Sequence, residues 1–366
     1  MNVAIGHAPR KPAPAQPPQP LAGGCAAAFS SDWHMDSRDY LVYPAALRSG
    51  GYMQPFIDTI IIVLPVFLVI ALGTLLRRLR LMDDNFLQQT NKLVYVVFLP
   101  LLLFHRIGQA DFNSFFNAPL VIGSSLVIVC GFLLSYGYAS LRGYPGPVKG
   151  SFSQGSFRGN LAYVGLAICM NTYGENGLTS AGMLMGFLVP VLNLFAILAL
   201  LLPQRRHAGA TPNWVRHLAL NPLIVASFLG LLWSYYNLPL PIIIDRALGI
   251  STGLSLPLAL LAIGGSFSLD RIKGDLQLAG FATLIKLALL PLLALAILVP
   301  LGVSGQDLGI GILMAGTPAA TATYIMAHQM KGNAELAGSI VMLSTLFSAL
   351  SYTLILLLFK GSGLLP

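Results

Sequence analysis

The chain has 366 residues, of which 55% are hydrophobic and 9% charged, and its mean hydropathy is +0.75. That much apolar sequence in long runs exceeds what a soluble domain can bury, so the composition excludes a water-soluble globular domain and leaves an integral membrane protein. The net charge of +8 does not indicate nucleic acid as a partner, because the basic residues form short clusters between apolar runs; anionic lipid is the expected neighbour.

Residues 1–52 are rich in Pro, Ala and Gly (RKPAPAQPPQP) and have no periodicity, a composition that cannot pack a core. Arg10 and Lys11 are followed by prolines rather than an apolar stretch, so this is not a secretory signal. The segment reads as a disordered extension, with Met53 opening the chain proper; a regulatory tail is the functional alternative.

From Phe56 onward, ten apolar runs meet the length of about 20 residues that a membrane helix needs: 56–76, 85–104, 118–140, 150–172, 178–202, 219–237, 242–268, 276–300, 306–329 and 336–359. Helix is the expected state of each, since lipid satisfies no backbone hydrogen bond. Pro65 and Pro222 lie 157 residues apart, as do Pro100 and Pro257, while Gly174 and Gly332 are 158 apart. This near-constant offset predicts a first five-helix repeat over 53–202, a linker over 203–218 and a second repeat over 219–360. An odd number of helices per repeat makes the two inverted. Arg77, Arg78, Arg80, Arg142, Lys149, Arg205, Arg206, Arg216, Arg271, Lys273 and Lys331 share one side, against Arg48, Arg106, Arg246 and Lys360 on the other. The positive-inside rule then puts both termini outside.

The second run carries Asn91, Lys92, Pro100 and His105, where a proline-freed carbonyl could line a path or mark a plain kink. The fourth, SFRGNLAYVGLAICMN, is interrupted by Arg158, Gly159 and Asn160. An arginine in lipid is costly unless it meets a cavity or a partner, glycine permits unwinding, and asparagine offers both donor and acceptor. The structural alternative is that Arg158 snorkels to the adjoining basic loop while Asn160 bridges helices. Gly182 and Gly186 read as helix packing. In the eighth run, Lys286 either balances substrate charge or pairs with a backbone carbonyl. The ninth breaks at Thr317-Pro318, followed by the small residues Ala319, Ala320, Thr321, Ala322 and Thr323. Matching interruptions in the two halves are the sequence pointer to a substrate site near the bilayer midplane.

No metalloprotease, nucleotide-binding or metal-ligand motif is present, and Cys25, Cys130 and Cys169 are scattered, so neither cofactor nor metal is implied. The runs carry no embedded Asp or Glu, which leaves coupling open between proton, sodium and none.

Three motifs together resemble the auxin efflux carrier family over residues 53–360: NKLVYVVFLPLLLFHRI, NLAYVGLAI and TPAATATYIMAHQM. The resemblance implies two inverted five-helix repeats, with helices four and nine crossing at their breaks and a substrate carboxylate held beside the crossing. It makes Asn160 the binding asparagine, Leu99 and Pro100 pocket wall, and Pro318 the ninth-helix break. Arg158, Gly159, Thr317 and Thr321 complete the expected contacts, with Lys286 as a charge-balancing group. Two departures stand out: Ala167 replaces the family's frequent proline, which implies a softer break or one stabilised mainly by glycine, and 118–140 has no ionisable residue where plant members carry an acid and lysine pair, which sets auxin aside. Arg158, outside the plant pattern, marks a different organic acid. The expected function is a secondary transporter or facilitator exporting small organic anions across a bacterial-type inner membrane, as a monomer or a homodimer and not as an enzyme. The alternative is a channel or a transporter-like sensor for organic acids. A sensor would be expected to carry a soluble output domain.

Overall fold

The computed structural model describes residues 53–204, 220–267 and 275–361. The 1–52 extension, most of the 203–218 linker, and Arg271 and Lys273 lie outside them. In chain order the principal helices are α1 (Met53–Arg78), α2 (Asp84–Gln109), α3 (Ala118–Leu141), α4 (Gly146–Phe157) and α5 (Leu161–Leu201). They continue with α6 (Pro222–Tyr235), α7 (Ile242–Ser266), α8 (Leu276–Leu298), α9 (Gly305–Ala315), α10 (Ala322–Gln329) and α11 (Ala334–Gly361). Among the described residues, seven helices are long and apolar enough to cross a membrane: α1, α2, α3, α5, α7, α8 and α11. The extended pairing among these residues is a single antiparallel bridge between Gly159 and Ala319.

The helix starts follow from local chemistry. Asp83, Asn117, Asn221 and Asp275 accept hydrogen bonds from the first free backbone amides of α2, α3, α6 and α8, respectively. Pro222 occupies the first turn of α6, where its missing N–H costs nothing. Two five-residue π turns, Val94–Phe98 and Ile285–Leu289, run into Leu99-Pro100 and Leu290-Pro291. Pro291 cannot donate to the carbonyl of Leu287, and the Ser351 hydroxyl does so instead at 2.8 Å. At the other π turn, the Ser255 hydroxyl donates to the carbonyl of Phe98 at 2.9 Å.

Helix α1 packs on α7, and α2 on α6, forming one group; α3, α4, α5 and α8–α11 form the other. Within the first group, a Cβ on Gly264 would overlap the backbone of Ile70. The bare glycine backbone allows the close approach in which the Thr74 hydroxyl donates to the Gly264 carbonyl at 2.9 Å. The outer faces expose Leu68, Leu133, Ile243 and Leu358, the apolar periphery of helices immersed in lipid.

Among the described helices, α4, α5, α6, α9 and α10 depart from simple spanning helices. At about 1.5 Å per residue, α4, α6, α9 and α10 are each too short to cross about 30 Å of hydrocarbon. Helix α5 is too long for one crossing, and it is interrupted at Gly174 (φ 63°, ψ −151°), a conformation that only glycine adopts readily. The hydropathy boundary between the runs 150–172 and 178–202 coincides with this kink at Gly174, whereas the short α4 before the first break is not separated by hydropathy alone.

Candidate functional site

The two interruptions meet. Between α4 and α5, Arg158, Gly159 and Asn160 leave helical geometry; between α9 and α10, residues 316–321 do the same. The Asn160 amide donates to the Pro318 carbonyl at 2.8 Å, and the Ala320 amide donates to the Arg158 carbonyl at 3.0 Å. Backbone groups freed by one break thus satisfy those freed by the other, which allows irregular chain at membrane depth. Gly159 is required by this contact, because a Cβ there would overlap Thr317 Oγ1.

The remaining orphan groups find side chains. Asn160 Oδ1 accepts from the Tyr163 amide at 3.3 Å, while its Nδ2 has no protein partner among the described residues. The Ser344 hydroxyl accepts from the Ala319 amide at 2.9 Å, and the Thr317 hydroxyl donates to the Met314 carbonyl at 2.9 Å. Lys286, 1% exposed, donates from Nζ to the carbonyl of Ala315 at 2.5 Å.

Arg158 does not snorkel. Its buried guanidinium donates from Nη2 to Asn193 Oδ1 of α5 at 2.8 Å, and Nη1 lies against the Met326 sulfur of α10. Its Nε has no partner, and neither does the adjacent Gln154 Oε1. Among the described residues no carboxylate pairs with Arg158. The result is a buried cation served by an amide oxygen and a thioether, with donor capacity left over.

A cavity of about 1010 Å³ opens between the two helix groups. Asn91, Lys92 and Tyr95 line it from α2, and Arg77 and Asp84 stand at its wall as an ion pair at 2.5 Å. It reaches Tyr163, just beyond the first break, and Thr321, at the end of the second. Of the residues singled out by sequence, Asn91, Lys92, Thr321 and Ala322 therefore border the cavity, whereas Arg158, Gly159, Asn160, Thr317 and Pro318 belong to the paired breaks and are not part of its wall. Leu99 is fully buried in the core and Pro100 half-buried; of the α2 residues nearest to them, Tyr95 and Val96, one turn earlier, line the cavity. Sequence reasoning passed over Tyr95, Tyr163, Gln154, Asn193 and Met326. Asn193 had a usable signal, as a lone amide within an apolar run; Met326 had none.

Long apolar helices around two paired, membrane-depth interruptions, with a large cavity leading toward them, define a multi-pass membrane transporter. Residues 58–356 match the family described as "Membrane transport protein", and the chain belongs to this family, the auxin efflux carriers of the sequence resemblance. It is 23% identical over 295 residues to an "Uncharacterized transporter" of Methanothermobacter thermautotrophicus, covering 80% of this chain and 95% of that protein. It is also 23% identical over 323 residues to a "Putative malonate transporter" of Rhizobium meliloti, covering 83% of this chain and 97% of that one.

Proposed function

We propose that the chain is a secondary transporter or facilitator that exports small organic anions, carboxylates above all, across a bacterial-type inner membrane by alternating access at the paired breaks. The observation that carries this reading is Arg158: a buried guanidinium beside the crossing, with an unpartnered Nε and no carboxylate partner among the described residues. An arginine at that depth is costly unless an anion or an aqueous cavity compensates it, and a substrate carboxylate would supply charge-assisted hydrogen bonds. The free Nδ2 of Asn160 can orient the same carboxylate. Gly159, Thr317 and Pro318 shape the crossing, Thr321 meets substrate arriving through the cavity, and Leu99 and Pro100 support the α2 wall from behind Tyr95.

The architecture that suits this reading is ten membrane passes in two inverted five-helix repeats. The interrupted pairs α4 with the start of α5, and α9 with α10, each count as one pass, and the remainder of α5 beyond Gly174 counts as another. Rocking of the α1, α2, α6 and α7 group against the rest would open the crossing to each side in turn. On the positive-inside reading, which puts both termini outside, Arg77 is on the cytoplasmic side, and the cavity that it borders suits an inward-open conformation. The export direction rests on the resemblance to efflux carriers, and the Rhizobium relative's name puts malonate first among substrates to test.

The test is counterflow in proteoliposomes with malonate, other mono- and dicarboxylates, auxin-like aromatic acids and amino acids. Saturable exchange of a small carboxylate that is lost in Arg158→Ala is expected. Conductance without counterflow would make the protein a channel.

A further inference from the structure

Lys286 is a buried cation that the proposed substrate path does not use. It stands on the π turn of α8, at membrane depth, and its 2.5 Å bond to Ala315 places the ammonium on the C-terminal end of α9. That end is a half-helix terminus: its last carbonyls lack intrahelical partners and carry the negative pole of the helix dipole. In transporters built from interrupted helices, such C-terminal ends and unwound carbonyls are where a coupling cation is coordinated.

The ammonium also faces the other break, since a Cβ built on Gly159 would lie 3.3 Å from Nζ. One charge therefore sits against both interrupted segments. The small cavity beside it is about 30 Å³, with Ser124, Gly159 and Ala315 in its wall and otherwise mainly apolar side chains. That volume suits about one water molecule and is far too small for an organic acid. No ion pair engages Lys286 among the described residues. Its partner is the helix end itself.

We infer that Lys286 is a tethered cation that takes the place of a coupling alkali ion at the crossing, so that the protein moves its substrate without a sodium requirement. The inference rests on the transporter reading but concerns the energy source, which that reading leaves open. A covalently held charge neutralises the half-helix end in every conformation, and it cannot dissociate to draw on an ion gradient.

Thermal unfolding of the purified full chain in detergent, in NaCl, KCl or N-methylglucamine chloride, reads this without any substrate. Wild type should melt at the same temperature in all three. Lys286→Ala, which uncovers the Ala315 carbonyl and leaves room for an ion, should melt earlier and be restored by Na⁺ or K⁺ but not by N-methylglucamine; Lys286→Met, which fills the space without charge, should not be restored. Sodium-dependent stability of wild type, or a Lys286→Ala protein indifferent to both the mutation and the salt, would overturn the inference. If the alanine variant does not fold, the wild-type series still decides, joined by transport with and without sodium. Transport driven by an imposed pH gradient would make Lys286 a proton carrier and would also overturn it. A carboxylate panel with no transported member sinks the transport reading alone, because the melting series stays readable.

Discussion

The backbone amide of Asn160 donates to the carbonyl of Pro318 at 2.8 Å, joining two interrupted segments 158 residues apart in sequence. Proline at 318 has no amide to donate to the Met314 carbonyl, which the Thr317 hydroxyl serves instead, and the non-helical backbone over residues 316–321 leaves the Pro318 carbonyl free for the opposite break. Cysteines at 160 and 318, in a background lacking Cys25, Cys130 and Cys169, should form a disulfide if their α-carbons lie within about 7 Å. Gel mobility with and without reductant checks this. Absence of a cross-link under oxidation, in a protein that still folds, would contradict the pairing.

Gly159→Ala should destabilise the crossing by about 1–3 kcal/mol, because the new methyl group would occupy the position of Thr317 Oγ1. Thr317→Ala removes that oxygen and should recover part of the loss in the double variant. Detergent melting curves of the four proteins give the coupling between the two sites, and strictly additive effects would show that the clash is not the cause.

Arg158→Ala should weaken carboxylate binding by about ten- to hundredfold, the loss of one charge-assisted contact of roughly 1.5–3 kcal/mol. Asn160→Ala should impair transport while leaving the protein folded. Titration calorimetry with a transported carboxylate, beside counterflow rates, measures both; wild-type behaviour in each variant would return Arg158 and Asn160 to structural roles.

Gly174→Ala should cost about 1–3 kcal/mol through backbone strain alone, because its dihedral angles suit glycine and no atom lies within 4 Å of the added methyl group. Next to it, the Arg106–Glu175 ion pair is partly exposed. Glu175→Gln should therefore change stability by less than about 1 kcal/mol. A reversed ranking in thermal unfolding would place the importance of this kink in charge rather than in conformation.

Topology is open to direct measurement. Periplasmic reporters fused after Lys360, and cytoplasmic reporters placed within the Gln204–His217 loop, should both be active. The opposite pattern would invert the assignment drawn from the basic residues.

The apolar runs, their punctuation by proline and glycine, and the asymmetry of basic residues were all legible in the chain, because each is a property of contiguous backbone in lipid. Membrane character, helix as the local state, and the places where helices fail at Arg158-Gly159-Asn160 and Thr317-Pro318 follow from such signals. Partners do not. That Arg158 reaches Asn193 and Met326, that Lys286 ends on Ala315, and that Gly159 leaves room for Thr317 depend on long-range packing, and nothing in the flanking residues encodes it. The π turns before Pro100 and Pro291 fall between the two cases. The prolines were visible, but which side chains the altered winding turns to the cavity, Tyr95 and Val96 rather than Leu99, was decided only when α2 packed against its neighbours. A freed carbonyl or a buried charge announces in sequence that it needs a partner, and the tertiary fold alone supplies one, because only there do groups tens to more than a hundred residues apart come within hydrogen-bonding distance.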